Sequence, residues 1–191
     1  MAGNERPARP VNPTTVRWET INDRRGATEL EMFSCTTPRP KTSSGRKIPH
    51  PKPWERAAQS IIRQSPKCLK AGNILLVGRR GDSEEIIAAA HLIFEKPSSP
   101  IFAAHVAAIG ISVTARGQGG KVADSALDQV CKVIGERAHQ PIDRPVLVTA
   151  NIHTRNYPSQ LLFERAGFEP LSLPVGEHQQ WIRNLGTRQG E

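Results

Sequence analysis

Residues 109–113 form a largely apolar run that leads directly into a glycine-rich turn, and residues 122–136 after the turn carry apolar side chains at helical spacing. Glycine has no Cβ, so backbone amides in such a turn can approach a ligand closely. The first turn of a helix adds unpaired N–H groups at the positive end of the helix dipole. The sequence therefore predicts a strand, an anion-binding turn and a helix in succession, with a turn that a pyrophosphate would fit.

Two common phosphate-binding loops do not match this turn. A Walker loop needs a glycine where the chain has Ala115, and a serine or threonine where it has Val122. A dinucleotide fingerprint needs a third glycine, or an alanine, at Val122, and it should open a βαβ unit with an acidic residue about twenty positions further on. The chain fails both tests, so neither loop explains the turn.

The turn instead resembles the acyl-CoA-binding signature of the GCN5-related N-acetyltransferase (GNAT) family, which is written Gln/Arg-x-x-Gly-x-Gly/Ala. Arg116 and Gly119 occupy the matching positions. Lys121 stands where the family usually has its last small residue.

A second segment, residues 156–168, is similar to the second cofactor-contacting helix of the same family. Asn156 and Ser159 match its Asn-x-x-Ala/Ser start, and Gly167 and Phe168 match its Gly-Phe end. An asparagine before the helix and a glycine after it are also typical helix caps. The two segments occur in the order and at the spacing of the family, with a strand-like run over residues 146–151 between them.

Apolar and turn-forming residues predict the order of the other elements. Strands are predicted over residues 30–35, 73–78, 86–94, 102–113, 146–151 and 179–184, and an early helix over residues 54–64 that ends at Ser65 and Pro66. This order indicates an α/β sandwich. The resemblance implies the GNAT form of it, a mixed, mostly antiparallel central sheet with a splayed strand pair, flanked by helices.

Residues 1–28 are predicted to form a basic, flexible N-terminal arm ahead of a single GNAT-like domain over residues 29–191. The chain has a formal net charge of +8 and a pI near 9.9. Much of this charge lies before residue 60 among frequent prolines, which oppose long helices and strands. Solvation alone explains such a region, and a contact with RNA or with an acidic substrate is the alternative that its charge suggests.

Composition argues against membrane, secreted and metal-binding classes. No run approaches the roughly eighteen apolar residues of a membrane helix, and the polar start of the chain lacks the apolar core of a secretion signal. A cytoplasmic protein without a membrane partner is therefore expected. Cys35, Cys68 and Cys131 are widely spaced and have no Cys or His at zinc-ligand intervals. They are interpreted as reduced thiols, and no metal is expected.

The resemblance implies transfer of an acetyl group from acetyl-CoA to a primary amine of a small-molecule or protein acceptor, by direct attack on the thioester. The strand at Ile109 and Ile111 would pair with the pantetheine arm, and a backbone N–H within residues 107–109 would polarise the thioester carbonyl. The residues that the resemblance assigns to the cofactor are Ile109, Ile111, Arg116, Gly117, Gln118, Gly119, Gly120, Lys121, Asn156, Ser159 and Phe163.

An alkyl ammonium with a pKa near 10 is mostly protonated at neutral pH, so a base or a water relay must remove its proton before attack. The candidate bases are His91, His105, His153, Glu84, Glu85 and Glu95. His105 is the predicted general base, because strand alternation would place it on the same face of the sheet as Ala107, Ile109 and Ile111.

Phe163 departs from the family pattern. The family often has a tyrosine at this position to protonate the departing thiolate, and phenylalanine has no proton to give. One alternative therefore stays open, a noncatalytic acyl-CoA-binding module whose basic arm engages a partner or RNA. The positive charge of the chain leaves a further alternative, a toxin-like acetyltransferase that acts on aminoacyl-tRNA. The sequence does not identify the acceptor, and a monomer or a homodimer is expected from the family.

Overall fold

The computed structural model describes residues 15–81, 83–95, 100–117, 120–138 and 145–186. The strands are β1 (Val16–Ile21), β2 (Ile74–Arg80), β3 (Ile86–Phe94), β4 (Phe102–Ile111), β5 (Val146–His153), β6 (Glu169–Pro170) and β7 (His178–Asn184). The α-helices are α1 (Pro53–Cys68), α2 (Lys121–Ala138) and α3 (Tyr157–Arg165). Short 3₁₀ helices lie at Thr28–Met32 and Val113–Ala115.

All the described strands belong to one sheet, in the order β1-β2-β3-β4-β5-β7-β6. Every neighbouring pair is antiparallel except β4 and β5, which run parallel. A parallel pair needs a long crossover connection, and α2 lies within it. The predicted mixed, mostly antiparallel sheet is confirmed.

Helices cover both faces of the sheet. On one face, Leu127 and Ile134 of α2 pack against Val148 and other buried residues of β3, β4 and β5. On the other face, Ile62 of α1 and Leu30 of the first 3₁₀ helix pack against residues of β2 and β3. Fully burying one such aliphatic side chain contributes roughly 1.5 to 3 kcal/mol to the free energy of unfolding, so these contacts fix both helices on the sheet.

β1 lies inside the region predicted to be a flexible arm. It pairs with β2 along its whole length, and the ring of Trp18 covers Gly78, where a Cβ would lie 2.6 Å from the ring atom Cζ3. The buried guanidinium of Arg79 binds Glu19 at 2.7 Å and Glu29 at 2.9 Å. The chain is therefore part of the sheet from Val16 onward, which corrects the arm predicted over residues 1–28. Residues 1–14 of that arm lie outside the described residues.

Two other elements differ from their predictions. The strand expected over residues 30–35 is replaced by the 3₁₀ helix, because Leu30 is buried beside α1 instead of pairing with a strand. Helix α1 continues through Pro66 to Cys68. The proline lies in the last turn, where its missing N–H removes only a terminal helix bond, and the Ser65 hydroxyl donates to the Ile61 carbonyl at 2.7 Å.

Candidate active site

A gap opens between β4 and β5 where their pairing ends. The parallel register runs from the Phe102–Val146 pair to the Val106–Ala150 pair. Beyond it, β4 continues to Ile111 and β5 to His153 without pairing to each other. The edge of β4 over residues 107–111 therefore faces the gap with no strand beside it, and the predicted splayed strand pair is confirmed.

A bulge in β4 lies at the start of this gap. The partners of β4 on β3 step from Leu92–Val106 to His91–Ala108, so Ala107 is the extra residue. Val106 packs on the α2 side of the sheet, whereas Ala108 packs on the α1 side. Before the bulge, the even-numbered residues of β4 face α2. After it, the even-numbered residues face α1.

This reversal corrects the face assigned to His105. Ile109 and Ile111 lie after the bulge and pack towards Val122 and Ala126 of α2. His105 lies before it and faces the α1 side, where its Nδ1 is 3.0 Å from Oγ1 of Thr149 on β5. The prediction that His105 shares a face with Ile109 and Ile111 is wrong, because simple alternation does not continue through a bulge.

A cleft of about 560 Å³ occupies the gap and brings the two predicted cofactor segments together. The β4 strand and the glycine turn contribute one wall, α3 contributes another, and the start of α1 closes a third side. The predicted residues that line it are Ile109, Ile111, Arg116, Gly117, Gly120, Asn156 and Ser159.

The glycine turn is shaped by backbone conformations that favour glycine. Gly117 has a φ of 81° and Gly120 a φ of 80°, both in the left-handed region. A Cβ on Gly117 would meet no described atom within 4 Å, so this side of the turn is open to the cleft. Lys121 begins α2 and is exposed, but it does not line the cleft. Gln118 and Gly119 lie outside the described residues.

Arg116 joins the turn to the start of α1. Its Nη1 donates to Oε1 of Glu55 at 3.1 Å, and its Nη2 donates to the carbonyl oxygen of Cys35. The Glu55 carboxylate also accepts from the Thr36 hydroxyl at 3.1 Å. Burial raises the pKa of Glu55, but Arg116, this hydrogen bond and Lys52 outweigh burial and hold the pKa below its usual value. Glu55 therefore stays ionised and anchors Arg116, a role that the sequence motif did not indicate.

Arg165 is a further cation at the cleft, besides Arg116 and Lys52, and the motif did not identify it. It ends α3, and its Nη2 lies 2.6 Å from Oδ1 of Asp124 in the first turn of α2. A Cβ on Gly120 would lie 3.8 Å from that Nη2. Arg165 thus stands beside the turn and the α2 N-terminus, where a bound phosphate would need positive charge. Only a long-range contact between α3 and α2 places it there.

Helix α3 begins as predicted, with Asn156 as its cap. The Asn156 side chain accepts from the Ser159 backbone N–H at 3.4 Å and donates to the Ser159 hydroxyl at 2.8 Å. Both residues line the cleft. Phe163 does not, because its ring is only 2% exposed and packs edge-on against Phe168 in the core.

Comparisons with known proteins identify the fold. No family model and no curated protein sequence matches the chain. A GNAT-family acetyltransferase from Staphylococcus aureus Mu50 is 13% identical with a TM-score of 0.53, covering 88% of this chain and 99% of that chain. Arabidopsis thaliana NAA60 in complex with acetyl-CoA is 13% identical with a TM-score of 0.51, and the match covers 90% of this chain and 99% of that chain. The chain has the GNAT fold.

A structure described as a bacterial toxin also shares this architecture, at 13% identity and a TM-score of 0.58, covering 91% of this chain and 92% of that one. Identities this low relate the folds and leave the acceptor open. Within the GNAT fold, the chemistry of this chain depends on its own side chains.

The three histidines named as candidate bases lie on the α1 face of this sheet, and their hydrogen bonds give them different chemistry. Nδ1 of His153 accepts the backbone N–H of Arg155 at 3.1 Å, so the neutral ring carries its proton on Nε2 and has no free lone pair. The Ser65 hydroxyl already donates to Ile61, so it accepts from Nδ1 of His91 at 2.9 Å. Nε2 of His91 then keeps a lone pair but is buried without a described partner.

His105 is the half-buried member of this group. Burial lowers its pKa below the usual 6.5, so the ring is neutral at pH 7. If Nδ1 donates to the Thr149 hydroxyl at 3.0 Å, Nε2 keeps a lone pair that can accept a proton. His105 does not line the cleft, so a proton from the cleft would reach it between β4 and β5, directly or through a water.

The described part of the chain holds no cluster of three or more His, Cys, Asp or Glu residues arranged to bind a metal ion. None of the helices in the described ranges is both long and apolar enough to cross a membrane. Cys35 lines the cleft, and burial raises the pKa of its thiol to about 11, so it is a poor nucleophile at neutral pH.

Proposed function

We propose that this chain is an N-acetyltransferase that transfers an acetyl group from acetyl-CoA to a primary amine. The observation that carries the proposal is the convergence of both cofactor segments on one cleft, at the point where β4 and β5 separate. The GNAT fold supports it at the level of the reaction class. The acceptor is a separate question.

The cleft suits the shape and charge of acetyl-CoA. Its volume of about 560 Å³ lies within the usual range for ligand pockets, roughly 300 to 1,000 Å³. The unpaired edge of β4 would bind the amides of the pantetheine arm as an added strand would. The glycine turn, the N-terminus of α2 and Arg165 would bind the pyrophosphate.

The reaction would be a direct displacement at the thioester carbonyl. The amine nitrogen forms the new amide bond while the carbon–sulfur bond breaks, and the electron pair of that bond leaves on the CoA thiolate. A backbone N–H at the Ala107 bulge would stabilise the negative charge that develops on the carbonyl oxygen. His105, directly or through a water, would take the proton that the amine must lose.

The thiolate would take its proton from water or from another group, because Phe163 lies in the core. Tyr157 is the single tyrosine of the chain. It is 66% exposed on α3 and does not line the cleft. This arrangement favours one second candidate, a noncatalytic acyl-CoA-binding module, which would bind acetyl-CoA in the same cleft without turnover.

Calorimetric titration of acetyl-CoA into wild type, Ala123→Glu and Ala57→Glu tests the cofactor site. Ala123 lines the cleft in the first turn of α2, so a carboxylate there would repel the pyrophosphate. Ala57 is an exposed residue of α1 that does not line the cleft, and its substitution makes the same change in charge and side chain. We expect micromolar binding to wild type, at least tenfold weaker binding to Ala123→Glu, and binding within about twofold of wild type for Ala57→Glu.

The absence of acetyl-CoA binding to wild type would overturn both candidate functions. If Ala123→Glu and Ala57→Glu weakened acetyl-CoA binding equally, the cofactor would bind outside the cleft. Thiol release measured across a panel of amines then separates the candidates, since only the transferase turns over. With an amine that reacts, His105→Gln should lower kcat by about 10²-fold or more and leave the affinity for acetyl-CoA unchanged.

A further inference from the structure

The segment before α1, residues 36–53, is strongly basic and carries no acidic residue. All its cationic side chains are exposed, and among them only Lys52 lines the cleft. These cations are Arg39, Lys41, Arg46, Lys47 and Lys52.

Part of this segment forms an ordered hairpin, here called the basic hairpin (residues 39–48). Lys41 and Lys47 form an antiparallel bridge, and the Ile48 N–H donates to the Pro40 carbonyl at 3.1 Å. At the tip, the Thr42 N–H donates to the Arg46 carbonyl at 2.8 Å, and Gly45 has a φ of 81°. The backbone positions that carry these cations are therefore defined by the hairpin.

The base of the basic hairpin is attached to the rim of the cofactor cleft. His50 is buried, and its Nε2 lies 3.3 Å from both the Thr36 and the Thr37 hydroxyl oxygens. Thr36 also donates to Glu55 at 3.1 Å, and Glu55 and Lys52 line the cleft. A molecule bound by the basic hairpin would therefore lie next to the cleft.

The charges of the basic hairpin are not balanced within the described chain. Lys52 lies 3.4 Å from Glu55, but Arg39, Lys41, Arg46 and Lys47 form no ion pair with a described carboxylate. Lys41 and Lys47 stand directly opposite each other, and like charges in that position are destabilising. A bound polyanion would remove this repulsion.

We propose that the basic hairpin binds the phosphodiester backbone of a nucleic acid and brings an amine-bearing strand to the rim of the cofactor cleft. The hairpin offers cations and the hydroxyls of Thr42, Ser43 and Ser44, which are groups that bind phosphate. It contains no aromatic side chain on which a base could stack, so the contact is with the backbone and independent of sequence. The acceptor part of this proposal rests on the proposed acetyltransferase function; the binding part does not.

The test is fluorescence anisotropy with labelled probes at about 50 and 200 mM salt. The probes are a single-stranded RNA of about 20 nucleotides, a DNA duplex of similar length and a glutamate-rich peptide of similar charge. The hairpin variant carries Lys41→Gln, Arg46→Gln and Lys47→Gln. The control variant carries Lys67→Gln, Lys70→Gln and Lys132→Gln, which removes the same charge from exposed positions on other elements.

We expect wild type to bind RNA, DNA or both with an affinity that falls as salt rises. The hairpin variant should bind at least tenfold more weakly at the lower salt. The slope of its log binding constant against log salt concentration should shrink in magnitude by about 2, since each lost phosphate contact removes roughly 0.7 to 0.9 from that slope. The control variant should stay within about threefold of wild type. The relative affinities for RNA and DNA show which nucleic acid supplies the phosphodiester.

Four results would overturn the proposal. Wild type could bind neither nucleic acid. The two variants could lose affinity equally, which would assign binding to net charge alone. The peptide could bind as tightly as the nucleic acids and depend equally on the hairpin, which would indicate an acidic protein partner. The hairpin variant could instead lose acetyl-CoA affinity in calorimetry, which would make the hairpin part of the cofactor site. The proposed acetyltransferase function fails only if wild type does not bind or use acetyl-CoA, so the two failures are distinguishable.

Discussion

At the scale of single residues, the pair formed by Glu55 and Arg116 decides how the glycine turn is held. The Glu55 side chain is only 16% exposed and lies 3.1 Å from Arg116. Arg116 resembles a cofactor ligand in sequence, but in the structure its guanidinium donates to Glu55 and to the carbonyl oxygens of Cys35 and Ile111. We infer that its main effect on the cofactor is indirect, through the position of the turn.

Glu55→Gln should therefore lower the free energy of unfolding at pH 7 by about 1 to 3 kcal/mol, because Gln removes the charge from the hydrogen bonds to Arg116 and Thr36. The pKa of Glu55 is lower in the folded state than its usual 4.5. The stability that its charge contributes is thus present above pH 4.5 and is lost as the pH falls through the lower, folded pKa. The measurement is urea unfolding at pH 7 and at about pH 3.5. The difference in free energy of unfolding between wild type and variant should be smaller at the acid pH.

The matched control for this prediction is Glu31→Gln. Glu31 belongs to an exposed pair with Lys67 at 4.0 Å, and such surface pairs contribute little. Glu31→Gln should change the free energy of unfolding by no more than about 0.5 kcal/mol at both pH values. A Glu55→Gln variant that behaves like this control would show that the carboxylate does not hold the turn.

At the scale of elements, two glycines in regular structure should respond to alanine in opposite directions. A Cβ on Gly78 of β2 would lie 2.6 Å from the Trp18 ring of β1, so the ring or one of the two strands must shift. A Cβ on Gly135 of α2 would meet nothing within 4 Å. Gly78→Ala should destabilise the fold by about 1 to 3 kcal/mol, whereas Gly135→Ala should stabilise it by roughly 0.5 to 1 kcal/mol.

Urea unfolding of both variants checks this prediction, with acetyl-CoA titration as a second measurement. Neither glycine lines the cleft, so both variants should keep the cofactor affinity of wild type. If Gly78→Ala were as stable as wild type, the close packing of Trp18 of β1 on β2 would be incorrect. A destabilised Gly135→Ala would contradict the open surroundings of that position in α2.

The boundaries of the elements show which physical signals a sequence carries. β3 was predicted at residues 86–94, where the structure has it, because its continuous apolar run is a local signal. The bulge at Ala107 was not predicted, because it depends on how β4 registers with β3. That one extra residue reversed the face of His105 relative to Ile109. Likewise, β1 was missed because its pairing with β2 spans a long stretch of intervening chain.

At the scale of the whole molecule, the candidate site combines segments that are far apart in the sequence. The glycine turn and the start of α3 were predicted from local motifs, since each carries its own turn and cap residues. Glu55 and Arg165 could not be, because their place at the cleft follows from the packing of α1 and α3. Motifs thus located two segments that line the cleft, and the packing of the helices placed Glu55 and Arg165 beside them.

A ligand that holds such distant segments together should stabilise the entire domain. Acetyl-CoA at about 100 times its Kd should add about 2.7 kcal/mol to the free energy of unfolding if it binds only the folded chain. For a domain of this size, that corresponds to a rise in Tm of roughly 5 to 11 °C. Differential scanning calorimetry at one fixed acetyl-CoA concentration should give this rise for wild type and for Ala57→Glu. Ala123→Glu, with tenfold weaker binding, should gain only about half as much free energy. Equal rises in all three proteins would mean that the stabilising ligand binds away from the β4–β5 gap.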